Sequence, residues 1–360
     1  MFSSSRLSQS SGFLRFLFVS NTSRVDRPYL DPAARYRCFN PASDLTEIGH
    51  LADVVSFAQF SLSMVDNYDI FVFHKPPNSN ILEATLDLIK KRGKKAIADY
   101  DDLIFNEKNA LSSSLFLTGR ASEKIVLDIF RKNHKALMMF DHVTVSTAPL
   151  AKQAILSNKK AKVSVIHNGL NRNWIQLANK KFNAPRAEGL ISYFCGTKSH
   201  DHDFKIVEDT LADILHQNSK LTLRVVGPLQ FETEKFPKRQ LMLVKAVPYE
   251  ELPKYIMQSY INIAPLESNT FNDCKSGLKF FEAGIFGVPS IASPIPDIAR
   301  FKPSGIELPK TAEAWRGSFD RLLSMSSDEH EEFRLATKKY TEDECLSFAQ
   351  TLELLKLVGS

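Results

Sequence analysis

The chain has 360 residues, 43% hydrophobic and 24% charged, which excludes wholesale disorder and exceeds what one compact core holds, so about two domains are expected. No stretch nears ~18 consecutive apolar residues, and Cys38, Cys195, Cys274 and Cys345 show no C-x-x-C spacing, which excludes a spanning helix, a zinc ribbon and a disulfide scaffold and suggests a reducing, cytoplasmic setting. The net charge of +5 is uneven: residues 1–170 carry 22 Lys and Arg against 16 Asp and Glu, whereas residues 171–360 carry 24 against 25.

Residues 1–12 include six serines without a cleavable leader pattern and read as a disordered tail. Short apolar runs then alternate with stretches of helical period, the pattern of α/β architecture with parallel sheets. Strands are predicted at 13–20, 69–73, 95–98, 142–146 and 163–166, with helices over 81–91 and 122–135. Residues 171–189 lose this rhythm and contain Asn, Lys, Pro and Gly, as a linker would. The alternation restarts with strands at 190–195, 221–226, 261–264 and 289–292, and helices at 204–217, 278–286 and 312–323. A final helix is predicted over 341–357. The simplest account is two doubly wound domains, 13–170 and 190–340, facing a cleft, because ligands of such sheets sit beyond the carboxyl ends of the strands.

The excess positive charge gathers at 90–95 (KKRGKK), 131–135 (RKNHK) and 159–162 (KKAK). Each run reads as a solvated helix end, and together they make a basic face suited to an anionic membrane surface or substrate. Nucleic acid fits less well, because no aromatic residues are interleaved with the runs.

The segment 271–284 (FNDCKSGLKFFEAG) carries the most chemistry, since it follows a strand and opens a helix. A helix start offers unpaired N–H groups and partial positive charge to a phosphate. Ser276 and Gly277 would let the backbone approach a diphosphate, and Lys275 and Lys279, four apart, would add charge to the same place. Glu282 lies about two turns on, where a carboxylate can accept both hydroxyls of a ribose. In residues 200–203 (HDHD) a metal site is an alternative, although adjacent residues rarely converge on one ion. Asp99, Asp101 and Asp102 follow a strand as D-Y-D-D, a pattern that can hold Mg²⁺ or Mn²⁺ against a diphosphate. No G-x-G-x-x-G follows any strand, which disfavours a Rossmann oxidoreductase.

The segment 271–284 resembles the Glu-x7-Glu signature of retaining GT-B glycosyltransferases, in particular a subset written roughly N-x-C-K-S-x-x-K-F-x-E. Glu282 matches the second acid, which the resemblance implies holds the nucleotide ribose. The first acid, a ligand of sugar hydroxyls, falls on Cys274, with Asp273 adjacent. Residues 196–204 are similar to the family's donor-phosphate loop, which implies donor contacts from Gly196, Thr197, Lys198 and His200. Tyr249 matches a position near the base. His74, in 73–76 (FHKP), is similar to a His near the reacting sugar carbon, and 99–105 (DYDDLIF) looks like an element of the same subset on the acceptor side. The second phosphate-binding helix start weighs against the metal-dependent GT-A alternative.

The resemblance spans about residues 14–350. It implies a GT-B fold of two Rossmann-like domains, with the C-terminal helix crossing back to the first. It further implies transfer, with retention, from a nucleotide diphosphate sugar to a glycan or lipid-linked acceptor of bacterial surface polysaccharide. The enzyme would need neither metal nor other cofactor and would work in the cytoplasm or on the inner face of the plasma membrane. Two rivals stand beside it: a catalytically weak nucleotide-sugar-binding protein, motivated by Cys274, and a nucleotide-sugar epimerase.

Overall fold

The computed structural model describes residues 12–181, 186–196 and 200–359. Uninterrupted apolar runs become central strands buried on both faces, as β1 (Arg15–Ser20) and β3 (Ile70–His74) show. With β2 (Leu51–Ser56), β4 (Lys95–Tyr100), β5 (His142–Val145) and β6 (Lys162–Val165) they form a six-stranded parallel sheet in the order β2-β1-β3-β4-β5-β6. A second parallel sheet contains β7 (Leu190–Phe194), β8 (Thr222–Val226), β9 (Leu241–Val244), β10 (Ile261–Ala264) and β11 (Ser290–Ala292), ordered β11-β10-β7-β8-β9. Strand order reverses between β1 and β3 in the first sheet and between β7 and β10 in the second. The loops that follow these strands therefore open the crevices where doubly wound sheets bind ligands.

The predicted strands are present within a residue or two, but β2 and β9 are additional. Both lie at sheet edges and expose part of their surface, including Leu51 in β2 and Met242 and Leu243 in β9, so neither carries a clean buried pattern. The stretch expected as a linker holds a helix, Arg172–Lys181, anchored by buried Trp174 and Ala178 one turn apart. Its polar face of Asn and Lys hides that periodicity. Residues 182–185 lie outside the described residues.

The C-terminal region also differs from the single helix expected over 341–357. Helix Ser327–Glu344 ends on the second sheet's side, and helix Ser347–Gly359 begins after a break at Cys345-Leu346. At the break, Leu346 pairs with Leu170 in an isolated parallel bridge. The last helix then lies on the first sheet, where Leu354 and Val358 pack in one cluster with Phe16, Phe18, Ile70, Val72 and Ile97. Thr351 donates to Asp44 at 2.9 Å and Lys95 donates to the Val358 carbonyl at 2.7 Å. The chain thus crosses back to the first domain.

Gly169 permits that crossing. A Cβ at this position would lie 2.4 Å from the Ser347 nitrogen, which belongs to backbone rather than a yielding side chain. Gly169→Ala is expected to destabilise the protein by ~1–3 kcal/mol, the usual cost of overpacking. Gly317→Ala, inside helix Ala312–Leu323 with nothing within 4 Å, should instead stabilise by about 0.5–1 kcal/mol. Urea denaturation of both variants checks the contrast.

Candidate active site

Register aligns one polar residue from each strand near the carboxyl end of the first sheet: Ser56, Ser20, His74, Asp99, Thr144 and Ser164. Aligned residues of a parallel sheet share a face, so this row needs partners from whatever covers it. Arg37 supplies them. It comes from a single π-helical turn, Arg35–Phe39, in which Arg35, Tyr36, Arg37 and Cys38 are all buried. Its Nε and Nη2 donate to the two Asp99 oxygens at 2.8 and 2.5 Å, and Nη1 donates to the Ile166 carbonyl and Asn168. Thr144 donates to Asp99 Oδ1 at 2.6 Å. Burial alone would lower the arginine's pKa, but the Asp99 carboxylate more than offsets it.

Asp99 was expected among the catalytic acids on the acceptor side. It is instead sealed beneath the cleft floor, with 3% of its side chain exposed and both oxygens committed. His74 is more buried still, at 1%. Its Nδ1 meets Ser20 Oγ at 3.0 Å and its Nε2 meets Asp101 Oδ1 at 3.2 Å. The ring therefore presents no free nitrogen to the cleft and reaches it only through Asp101.

The next residue, Lys75, has φ 52°, a left-handed conformation uncommon for a non-glycine residue. Its N–H donates to the Asp99 carbonyl at 2.8 Å, and its ammonium sits 2.7 Å from Asp101 and 3.0 Å from Asp102. Burial opposes ionisation of both partners, yet their attraction overrides it: Lys75 is raised and Asp101 is held well below the usual carboxylate range. Asp101 thus shares one oxygen between a lysine and an imidazole, which anchors its carboxylate.

On the second sheet, Asp203 stitches together the loops after β7 and β10. Its Oδ1 accepts from the Glu267 N–H at 2.8 Å and from Asn272 at 3.3 Å, while Oδ2 meets His200 Nδ1 at 2.8 Å. Burial, then the charge of Lys279, pushes His200 down to about 4. The neutral ring donates Nδ1–H to Asp203 and leaves Nε2 as an acceptor. Burial, then repulsion from Lys275, also lowers Lys279. Two mutually repelling lysines on one short helix start make a place that an anion would relieve. Asn262, in β10, donates to the Lys279 carbonyl at 3.1 Å and fixes this turn to the sheet. Gly196 borders open space, whereas Thr197 and Lys198 lie outside the described residues.

Several expected donor contacts are engaged elsewhere. The Gly277 N–H donates to Asp297 at 2.7 Å, so that amide of the helix start is already capped. A Cβ on Gly277 would lie 2.5 Å from the Phe301 ring, which accounts for glycine there without invoking a ligand. Cys274 is buried in the first sheet's core cluster, its thiol pushed up to about 12 by burial, and its carbonyl accepts from Thr147 at 2.9 Å. Its side chain thus packs into the opposite domain. Asp273 remains half-exposed beside it, and the Ser276 hydroxyl is buried with no hydrogen-bond partner.

Glu282 is reached from the first domain. Tyr36 donates its hydroxyl to Glu282 Oε1 at 2.5 Å, and burial raises the carboxyl above its ordinary value. Tyr249 was expected to meet a base, but its ring is already engaged twice. The Arg35 guanidinium lies 3.6 Å from its centre, and Trp174 stacks on it at 5.0 Å. Arg35, Tyr36, Arg37 and Trp174 were missed in the sequence. The only signal for the first three was an Arg-Tyr-Arg run, which has no meaning until the π turn buries it. Among the described residues, no group of three or more His, Cys, Asp and Glu is placed to hold a metal ion, and no helix is long and apolar enough to cross a membrane. In the residues considered for metal binding, Asp201 accepts from the Gln230 N–H and Asp203 is committed as above.

No family model matches the sequence, and no curated protein does. Solved structures do match in fold. HepE of Anabaena, in complex with UDP and glucose, is 10% identical with TM-score 0.61, covering 96% of this chain and 99% of its own. An α-glucosyltransferase bound to UDP-glucose and abasic DNA is 12% identical with TM-score 0.64, over 97% and 100%. A UDP-forming trehalose-phosphate synthase of Burkholderia xenovorans is 10% identical with TM-score 0.63, over 96% and 100%. Together with the two doubly wound sheets, these likenesses establish a GT-B fold.

Removing Arg37 would strand a buried carboxylate. Arg37→Ala is expected to destabilise the fold by ~3–5 kcal/mol, and Asp99→Asn in the same chain should recover much of that loss. Guanidinium denaturation of the single and double variants measures the coupling.

Proposed function

We propose that the protein is a glycosyltransferase that takes a sugar from a nucleoside diphosphate donor. The observation that carries this is the grouping of Lys275, Lys279 and Glu282 around one turn beside the switch-point loop of a GT-B fold. The lysines would stabilise the departing diphosphate, and Glu282 would accept the ribose hydroxyls. The neighbours in complex with UDP or UDP-glucose support the donor class. Lysine charge takes the part a divalent ion would play, so transfer is metal-independent. Retention and a glycan or lipid-linked acceptor of surface polysaccharide rest on the sequence resemblance. Asp101, held by His74, and Lys75 form the first domain's share of the cleft, with His74 acting as a positioning residue. The buried Cys274 favours a second reading, a weakly active nucleotide-sugar binder, because the expected sugar-binding acid has no substitute at that position.

Incubation with UDP-, GDP-, dTDP- and ADP-sugars, followed by assay of released nucleotide, tests the activity. One donor should turn over, with and without EDTA. Glu282→Ala should weaken nucleotide binding by ~2–3 kcal/mol, the loss of a charge-assisted double hydrogen bond. Unchanged calorimetric affinity in the folded variant would remove Glu282 from the site.

The membrane surface has a specific location in this proposal. Asn158 donates to the Leu137 and Phe140 carbonyls at 2.9 and 3.2 Å, holding the end of helix Ala148–Ser157 against the end of helix Glu123–Leu137. Met138, Ile155 and Leu156 are exposed at this corner, with exposed Lys135, Lys152, Lys159 and Lys160 around them and Asp141 the acid among them. Apolar side chains ringed by lysine suit an anionic bilayer, each lysine contributing up to ~1 kcal/mol. The protein should co-sediment with anionic but not neutral vesicles. Salt and Leu156→Asp should each weaken the association.

A further inference from the structure

We propose that Tyr36 is a latch on the donor site: its hydroxyl occupies the Glu282 oxygen that a ribose would use, so a nucleotide binds by displacing it. This rests on the assignment of Glu282 as the ribose acid.

Three observations carry the latch. First, the phenol donates to Glu282 Oε1 at 2.5 Å, the kind of contact that a ribose hydroxyl would make with the same atom. Secondly, the two partners come from opposite domains. Tyr36 lies in the π turn that Arg37 fastens to β4, whereas Glu282 lies in the helix after β10. Thirdly, the contact has neighbours that would move with it. The Tyr36 hydroxyl is 3.4 Å from the Tyr249 hydroxyl, its ring packs edge-on to Phe281, and the adjoining Arg35 covers Tyr249. One turn of the first domain therefore closes over both the acid and the aromatic residue of the second.

A π turn is a natural place for such a device. It carries one residue more per turn than the α-helix around it, and such bulges occur often at functional sites. The Arg35 Nε is buried there without a hydrogen-bond partner. A phenol brings one donor to the carboxylate, whereas a ribose cis-diol brings two on adjacent carbons. The diol can therefore take the position, at a cost in affinity equal to the bond it breaks. Domain contact and donor occupancy become alternatives at one oxygen atom.

Calorimetric titration of the full chain with UDP, GDP and ADP tests this. Tyr36→Phe keeps the ring and its packing but removes the donor. It should tighten binding of at least one nucleotide by about tenfold, the factor for one lost competing hydrogen bond. The gain should vanish with the 2′,3′-dideoxy form of that nucleotide and in the Tyr36→Phe/Glu282→Ala double variant. On the unmodified protein, hydrogen exchange over residues 35–39 should rise with the ribonucleotide and not with its dideoxy form. Unchanged or weaker binding by Tyr36→Phe, or slower exchange at 35–39, overturns the latch. If Glu282→Ala alone leaves affinity unchanged, the ribose assignment fails instead. Absence of binding by every variant to all three nucleotides overturns both.

Discussion

The Arg37–Asp99 ion pair is the constraint around which the first domain's half of the cleft is arranged. Two charges this far from water are tolerated only when hydrogen bonds replace the lost solvation, and here Thr144, Ile166 and Asn168 add to those within the pair. Satisfying Arg37 fixes the π turn against β4, and that turn carries Tyr36 and Arg35 toward the second domain. It also leaves Asp99 to hold the Lys75 N–H through its carbonyl, in the left-handed conformation that aims Lys75 at Asp101 and Asp102. A buried pair that contributes little net stability thereby sets the position of five side chains at the cleft. Its value is in placement.

The second domain solves the same problem with different residues. Its row across the sheet is Ser290, Asn262, Ser192 and Arg224, and Arg224 donates to Ser192, Ser259 and Gln258. Asn262 extends that row to the Lys279 carbonyl, as Asp99 extends the first row to Lys75. In both sheets a polar stripe inside an apolar sandwich fixes the loop or helix that presents charge at the carboxyl ends. The likeness is one of physics: a sheet end that must present lysines needs rigid backbone under them.

Much of this was legible in the sequence, and the parts that were not share a cause. Central strands such as Phe16–Val19 and Ile70–Phe73 announce themselves because both faces are buried, so every residue is apolar. Edge strands β2 and β9 do not, since partial exposure removes the pattern. The helix Arg172–Lys181 hid because only Trp174 and Ala178 need burial. Motif spacing singled out Lys275, Lys279 and Glu282, whose relation is local and which the structure groups around one turn. Tyr36 and Glu282 are 246 residues apart, and Arg37 and Asp99 are 62 apart. Pairings at that range are decided by topology, which no window along a single chain contains. The same blindness hides that Gly277 packs against Phe301 and that Tyr249 meets Arg35 and Trp174.

The contacts between the two domains fall into two physical classes. On one side the chain itself crosses, with Leu170 and Leu346 paired through backbone and Gly169 lying against Ser347, a junction with no soft side chain to yield. On the cleft side the Tyr36 hydroxyl meets Glu282 and the Thr147 hydroxyl meets the Cys274 carbonyl, beside the packing of Phe271 and Cys274 in the first domain's core cluster. Breaking a hydrogen bond between groups that water can then solvate costs about 0.5–1.5 kcal/mol, whereas parting the crossing disturbs packed core on both sheets. A donor bound as proposed would meet contacts that it can exchange for its own hydroxyls. It leaves undisturbed those that hold the two halves of the site in register.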